Sequence, residues 1–296
     1  MSEYHVPVLL KEVIDYLNIS PGKKYIDATL GGGGHTFEIL KQRGKVLGVD
    51  FDEEAIAYVV EKLKTQKSKF KVGEDLVLVR GNFKDIDKIA HSYGFDKVNG
   101  ILFDLGVSSH QIDEASRGFS FQKEAPLDMR MSKELKVKAS DLVNILTKGE
   151  LYELFTKLGE EYHALAISND IIRARRVKPI ETTGELARIV RNIYGRSGKI
   201  DPATRVFQAL RIAVNDELNN LKEVLPKAVR LLKKDAVLLV IAFHSLEDRI
   251  VKNSFKDFQK ERIGEILTKK PIIPALDEQI KNKRSRSSKL RVFKKT

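Results

Sequence analysis

The chain has 296 residues, is 42% hydrophobic, contains no cysteine, and carries 53 Lys and Arg against 41 Asp and Glu, a net charge of +12. That length accommodates one large domain or one domain with a substantial insertion. The missing cysteines exclude disulfides, thiolate zinc sites and cysteine nucleophiles. No apolar run approaches the roughly 20 residues that span a bilayer, and the first residues lack a basic region followed by an apolar stretch. A soluble cytoplasmic protein without a membrane partner is expected. A pI near 9.5 suits a polyanionic partner, but by itself it suits an ordinary basic enzyme equally well.

In chain order, Tyr25–Asp27, Val46–Asp50, Leu76–Val79 and Gly100–Asp104 read as strands, separated by segments of helical composition such as Glu53–Lys64. Continuous apolar strands alternating with helices predict a parallel sheet covered on both faces. From about Ile112 to Asn215 strand-like runs are scarce and helical stretches dominate, among them Ser140–Leu158 and Gly184–Tyr194. Leu218–Leu232 then reads as a helix and Val237–Phe243 as the most strand-like run of the chain. Ile263–Leu267 and Leu290–Phe293 read as edge strands. The expected architecture is one α/β domain, residues 1–112 and 216–296, interrupted by a helical domain over 113–215.

The first strand runs into Asp27-Ala28-Thr29-Leu30-Gly31-Gly32-Gly33-Gly34-His35. Glycines allow positive φ and close approach to a ligand, and such a turn at the carboxyl end of a parallel sheet is where nucleotides bind. Neither the G-x-G-x-x-G spacing nor a Gly-Lys-Ser/Thr sequence is present, which weighs against phosphate cradling. Asp50 ends the second strand and has the chemistry to accept hydrogen bonds from two ribose hydroxyls. S-adenosylmethionine has no phosphate and is cationic at its sulfonium and amine, so carboxylates at strand ends suit it. Either Asp27 or Asp50 alone is explained as well by turn capping; together with the glycines they favour a nucleoside cofactor. Phe83, after the third strand, offers a ring to adenine or simply packs.

Asp104-Leu105-Gly106-Val107-Ser108-Ser109-His110-Gln111 leaves the fourth strand, beside the same crevice. Methyl transfer by in-line displacement depends chiefly on positioning. An exocyclic base amine is a poor nucleophile because its lone pair is delocalised. A carboxylate or carbonyl that accepts its hydrogens restores pyramidal character and meets the developing positive charge. Asp104 and the Leu105 carbonyl are the candidates, against the plain alternative of a polar loop with an Asx turn.

The two motifs Thr29–His35 and Asp104–Gln111 resemble those of the bacterial small-subunit ribosomal RNA (cytosine-N4)-methyltransferase family. So do His5–Leu10, Arg117–Phe121, Pro126–Met131, Thr204–Arg211, Phe243–Arg249 and Arg284–Arg291. The match runs in order along nearly the whole chain. The resemblance implies a Rossmann-like methyltransferase sheet with an inserted helical domain that recognises substrate, and S-adenosylmethionine as cofactor, held by Gly33, Gly34, His35, Asp50, Phe83, Asp104 and Gln111. It implies a cytidine in the decoding region of small-subunit ribosomal RNA as substrate, on naked RNA or the assembled small ribosomal subunit, and it leaves room for a homodimer. Two positions depart from the family pattern. Glu124-Ala125 stands where Asp-Gly is usual, which puts a turn near the substrate in doubt, and Lys283 replaces a proline.

For the substrate side we single out Ser108, Arg117, Phe119, Phe121, Asp128, Arg130, His244, Arg284 and Arg286. Arg117 with Phe119 and Phe121 has the makings of a stacking platform for an unstacked base, although core packing explains either phenylalanine alone. Between Lys281 and Lys295 lie eight Lys or Arg and no acid, and the interleaved serines suit phosphate oxygens. Arg173, Arg175, Arg176 and Lys178 read as a solvated helix face. Ser245 lacks a G-x-S-x-G elbow; Ser245 to Asp248 reads as a capping box after the last core strand. The six histidines show no metal-ligand spacing, and no metal is expected. Two rival classes remain in view. One is a noncatalytic RNA-binding assembly factor that keeps the fold, against which the intact Gly33, Asp50 and Asp104 argue. The other is a nucleotide-dependent oxidoreductase, against which the failed dinucleotide spacing argues.

Overall fold

The computed structural model describes residues 7–65, 70–195 and 201–296. His5 and Val6, which begin the first motif of the resemblance, lie outside the described residues. The chain divides into two compact units, Met1–Ser108 with Leu218–Thr296, and Ser109–Glu217.

Among the described residues the first unit holds seven strands: β1 Lys24–Asp27, β2 Lys45–Asp50, β3 Leu76–Arg80, β4 Val98–Asp104, β5 Leu232–Ala242, β6 Gly264–Ile266 and β7 Lys289–Lys295. They form one sheet in the order β3-β2-β1-β4-β5-β7-β6. The first five strands are parallel, and β7 runs antiparallel to both β5 and β6. Alternate residues of each parallel strand point to opposite faces. Ile26, Leu47, Ile101, Phe103, Leu238 and Val240 enter one core, whereas Tyr25, Val46, Leu102, Leu239 and Ile241 enter the other. Both faces are therefore covered, which explains why these strands read as unbroken apolar runs rather than as alternation. The strand order reverses between β1 and β4, so the carboxyl ends of β1, β2 and β4 open at the topological switch point, where ligands bind in sheets of this kind.

One expectation is corrected here. Leu290–Phe293 is no edge strand: β7 lies between β5 and β6. Its residues Leu290, Val292 and Phe293 are fully buried, because β7 supplies backbone partners to two strands at once.

The second unit is mainly helical and has its own core, built from Leu127, Phe155, Ile167, Leu186, Phe207 and Leu210 among others. The single helix expected over Ser140–Leu158 is two, Ala139–Ile145 and Lys148–Gly159. The break is local chemistry. Thr147 Oγ1 accepts from the Glu150 N–H at 3.3 Å, and Glu150 accepts from the Thr147 N–H at 2.7 Å. This reciprocal capping box starts a new helix. Arg175, expected on a solvated face, turns inward and donates to the carbonyls of Val143 and Leu146 at the end of the first of these helices.

Candidate cofactor and acceptor site

Three carboxylates stand at three strand ends. Asp27 closes β1, Asp50 closes β2 and Asp104 closes β4. The Gly-rich turn follows β1 and enters the helix Gly34–Lys41. Gly33 adopts φ +72, and a Cβ there would stand 2.9 Å from the Phe37 ring and 3.0 Å from Val59. Both the backbone sign and the space demand glycine. The Leu30 N–H donates to the Val49 carbonyl at 2.9 Å, which ties the turn to β2 beside Asp50.

Asp50 is fastened through both oxygens. Oδ2 accepts from the Gly31 N–H at 2.8 Å and Oδ1 from the Asp52 N–H at 2.8 Å. Each carboxylate oxygen offers about two acceptor positions, so two backbone donors orient the group without exhausting its capacity. Burial pushes its pKa up to about 6, against the lowering pull of those two N–H groups. Asp27 is 1% exposed; its Oδ2 accepts from the Thr36 hydroxyl at 2.7 Å. Burial lifts it above the ordinary value, opposed by His35 and by Thr36.

Thr29 links the turn to β4: its Oγ1 accepts from the Asp104 N–H at 2.6 Å. His35 Nε2 lies 3.1 Å from the Val8 carbonyl and Nδ1 lies 3.8 Å from Asp104 Oδ2. A carbonyl only accepts, so Nε2 carries the proton and Nδ1 faces the carboxylate. His35 is thus buried beside Asp104 and ties the start of the helix after the glycine turn to the N-terminal segment through Val8. Leu105 donates its N–H to the Ile241 carbonyl at 3.0 Å, and its side chain is buried.

Phe83 opens a 3-10 turn, Phe83–Asp85, directly after β3. Its ring meets Phe103 edge-on, with centroids 5.7 Å apart at 85°. Asn82 Oδ1 caps the turn by accepting from the Lys84 N–H at 3.0 Å. Ser108 ends this stretch of the first unit. Gln111 belongs to the second unit, where it is buried in the short helix Ser109–Asp113.

Several residues expected on the substrate side are engaged inside the protein instead. The Arg117 guanidinium is buried and donates to the carbonyls of Arg130 and Met131 at 3.2 and 2.9 Å. Gly118 beside it adopts φ +71, and a Cβ there would fall 2.3 Å from the Pro126 carbonyl. Phe121 packs edge-on against Phe207 at 4.9 Å and lies partly buried against the core of this unit. Phe119 stays partly buried, 5.9 Å from the Arg117 guanidinium. Asp128 and Arg130 form a two-point pair, Nε to Oδ1 at 2.7 Å and a terminal nitrogen to Oδ2 at 2.8 Å. Their shared spacing in the sequence therefore reports a loop clamp. Ala125, in place of the family's glycine, has no positive φ. It is bound twice by Thr183, whose Oγ1 accepts from the Ala125 N–H at 3.1 Å and whose N–H donates to the Ala125 carbonyl at 2.9 Å. The turn accepts alanine without strain.

The capping box after β5 is shifted by one residue from the expectation. His244, not Ser245, is the N-cap of the helix Ser245–Lys260, and Glu247, not Asp248, is its reciprocal partner. Glu247 accepts from the His244 N–H at 3.3 Å, and the Glu247 N–H points to His244 Nδ1 at 3.4 Å. Asp248 is released to pair with Arg291 at 2.6 Å, so this basic residue of the C-terminal run is a buried strut. Ser285 and Ser288, expected to donate to phosphate, are buried and donate to the carbonyls of Asn282 and Ser285. Arg284 and Arg286, on either side of Ser285, are exposed.

The model of a family described as the MraW methylase family matches residues 2–296. The ribosomal RNA small subunit methyltransferase H of Persephonella marina is 48% identical over 98% of this chain and 99% of its own length. The protein of the same name from Clostridium botulinum strain Loch Maree is 46% identical over 98% of both chains. Among solved structures, an rRNA methylase from Streptococcus thermophilus aligns over 98% of both chains with a TM-score of 0.47 and 11% identity.

Proposed function

Since the chain belongs to the MraW methylase family, we propose that it transfers a methyl group from S-adenosylmethionine to the N4 amine of a cytidine in the decoding region of small-subunit ribosomal RNA. The observation that carries this reading is the set of three carboxylates at adjoining strand ends around a glycine turn at the switch point. Their chemistry fits a cationic, phosphate-free nucleoside. The relatives' printed name, ribosomal RNA small subunit methyltransferase H, supports the choice of substrate. The bound cofactor supplies an electrophilic methyl group.

The residues divide the work as follows. Gly33 and Gly34 let the backbone approach the cofactor, and His35 holds the turn against the Val8 carbonyl. Asp50 accepts the ribose hydroxyls on the oxygens already oriented by Gly31 and Asp52. Phe83 covers the adenine. Asp104, with the Leu105 carbonyl, accepts the hydrogens of the target amine and steadies the charge that develops on nitrogen. The inserted unit Ser109–Glu217 recognises substrate, and the exposed Arg284 and Arg286 meet the RNA backbone. On this reading Ser108 and His244 serve the acceptor side of the first unit, Phe119 serves substrate recognition by the inserted unit, and Arg117, Phe121, Asp128 and Arg130 shape that unit's loops. The setting is the cytoplasm, where the substrate is made, and a homodimer is compatible with this assignment.

The test is transfer of label from S-adenosylmethionine to small ribosomal subunits lacking the modification. Wild-type protein should label N4 of one cytidine. Asp104→Ala should lower the rate on the order of 10²–10³-fold, the cost of removing one group that stabilises developing charge. Cofactor binding without any labelling would return the assembly-factor reading to first place.

A further inference from the structure

The turn that carries Phe83 is held from outside the strand that precedes it. Lys227 lies on the helix Glu217–Leu231, remote in sequence from the glycine turn. Its Nζ donates to the Lys84 carbonyl at 2.6 Å, across 143 residues of chain. The same ammonium binds Glu223 Oε1 one helical turn earlier at 2.7 Å and lies 3.8 Å from Asp87 Oδ1. Its side chain is 15% exposed. A lysine on a solvated helix face samples many rotamers; this one is fixed by two short bonds.

The carbonyl it binds is the informative partner. Lys84 is the middle residue of Phe83–Asp85, a single 3-10 turn that Asn82 caps from the amino side. The turn's own backbone bonds are two, from the Asp85 N–H to the Asn82 carbonyl at 3.0 Å and from the Ile86 N–H to the Phe83 carbonyl, and neither engages Lys84. Asn82 fixes the Lys84 N–H and Lys227 fixes the Lys84 carbonyl, so the two bonds pin both sides of the residue next to Phe83. Phe103 packs against the Phe83 ring in a T-shaped contact, with centroids 5.7 Å apart.

We propose that Lys227 is a positioning residue for the cofactor: it holds the 83–85 turn so that Phe83 presents a preformed wall to the adenine. The ordering cost of the ring is met in folding rather than at binding, which raises affinity without a contact to the ligand. The inference rests on the assignment of Phe83 to the adenine.

A double-mutant cycle on S-adenosylmethionine affinity, measured by isothermal titration on the full chain, tests it. Lys227→Met keeps the aliphatic stem and removes the donor. It should weaken binding about three- to tenfold, the loss of one charge-assisted bond at a partly exposed site, and leave kcat at saturating cofactor unchanged. In a Phe83→Ala background the same change should have no effect, because there is no ring left to position. Equal losses in both backgrounds, or none in the wild-type background, would overturn the proposal. If Phe83→Ala alone leaves affinity intact, it is the adenine assignment that fails, which separates the two ideas. Lys227→Gln, whose amide stops short of the carbonyl, serves as the second variant if the methionine variant melts early.

Discussion

Asp50 is asked to be both a structural acceptor and a ligand for sugar hydroxyls, and its acidity exposes the conflict. Burial raises it from 3.8 to about 6. For a carboxylate raised on folding, the folded chain holds the proton more tightly than the unfolded chain. Its contribution to the stability of the unliganded protein is therefore present at low pH and lost as pH rises from 3.8 to about 6. Cofactor binding has the opposite sign, since only the ionised group accepts both ribose hydroxyls while holding Gly31 and Asp52. The rise in melting temperature caused by S-adenosylmethionine should thus grow with pH through this window and level off above it. Scanning calorimetry with and without cofactor over a pH series reads this directly. Asp50→Asn should bind weakly at every pH; a cofactor-induced shift that ignores pH would detach Asp50 from the ribose.

At the scale of elements, the helix Ser245–Lys260 and strand β7 show how one residue of register redirects a motif. With His244 and Glu247 closing the cap, Asp248 points at β7. It meets Arg291 Nε at 2.6 Å and Lys289 at 3.6 Å. Burial alone would raise the Asp248 carboxyl, but Arg291 and Lys289 outweigh it and hold it below the ordinary range. Arg291 is 7% exposed, and removing one partner of a buried pair leaves the other charge stranded. Asp248→Ala should therefore cost about 3 kcal/mol in urea unfolding. Replacing both partners, Asp248→Ala with Arg291→Met, should recover most of that loss. A double variant as unstable as the single one would mean that the pair is not what joins helix to strand.

The molecule as a whole carries +12, and much of the basic C-terminal run is spent internally. Arg291 pairs with Asp248, Lys294 with Asp235, and Lys295 donates to the carbonyls of Val229 and Leu232. Arg284 and Arg286 are the exposed arginines of that run. Binding of ribosomal RNA by phosphate contacts releases counterions, so affinity should fall more than about tenfold for a fourfold increase in salt. Filter binding across a salt series measures the slope. Arg284→Ala with Arg286→Ala should make it shallower by about two contacts, and an unchanged slope would move the RNA surface elsewhere.

The sequence by itself determined what depends on near neighbours. The parallel strands were legible because a strand buried on both faces must be apolar throughout, and the glycine turn was legible because positive φ at Gly33 leaves few other choices. The three strand-end carboxylates followed from those two readings. Tertiary structure alone decided what depends on partners distant in the chain. Nothing near Arg291 announces Asp248, so a phosphate-binding tail and a buried strut have the same sequence. Arg117 with Phe119 and Phe121 reads equally as a stacking platform or as packing, and only the fold shows the Arg117 guanidinium on the carbonyls of Arg130 and Met131 and the Phe121 ring against Phe207. Lys227 carries no local signal at all. Its meaning comes from a carbonyl 143 residues away, and a backbone acceptor, which every residue possesses, leaves no mark in the sequence.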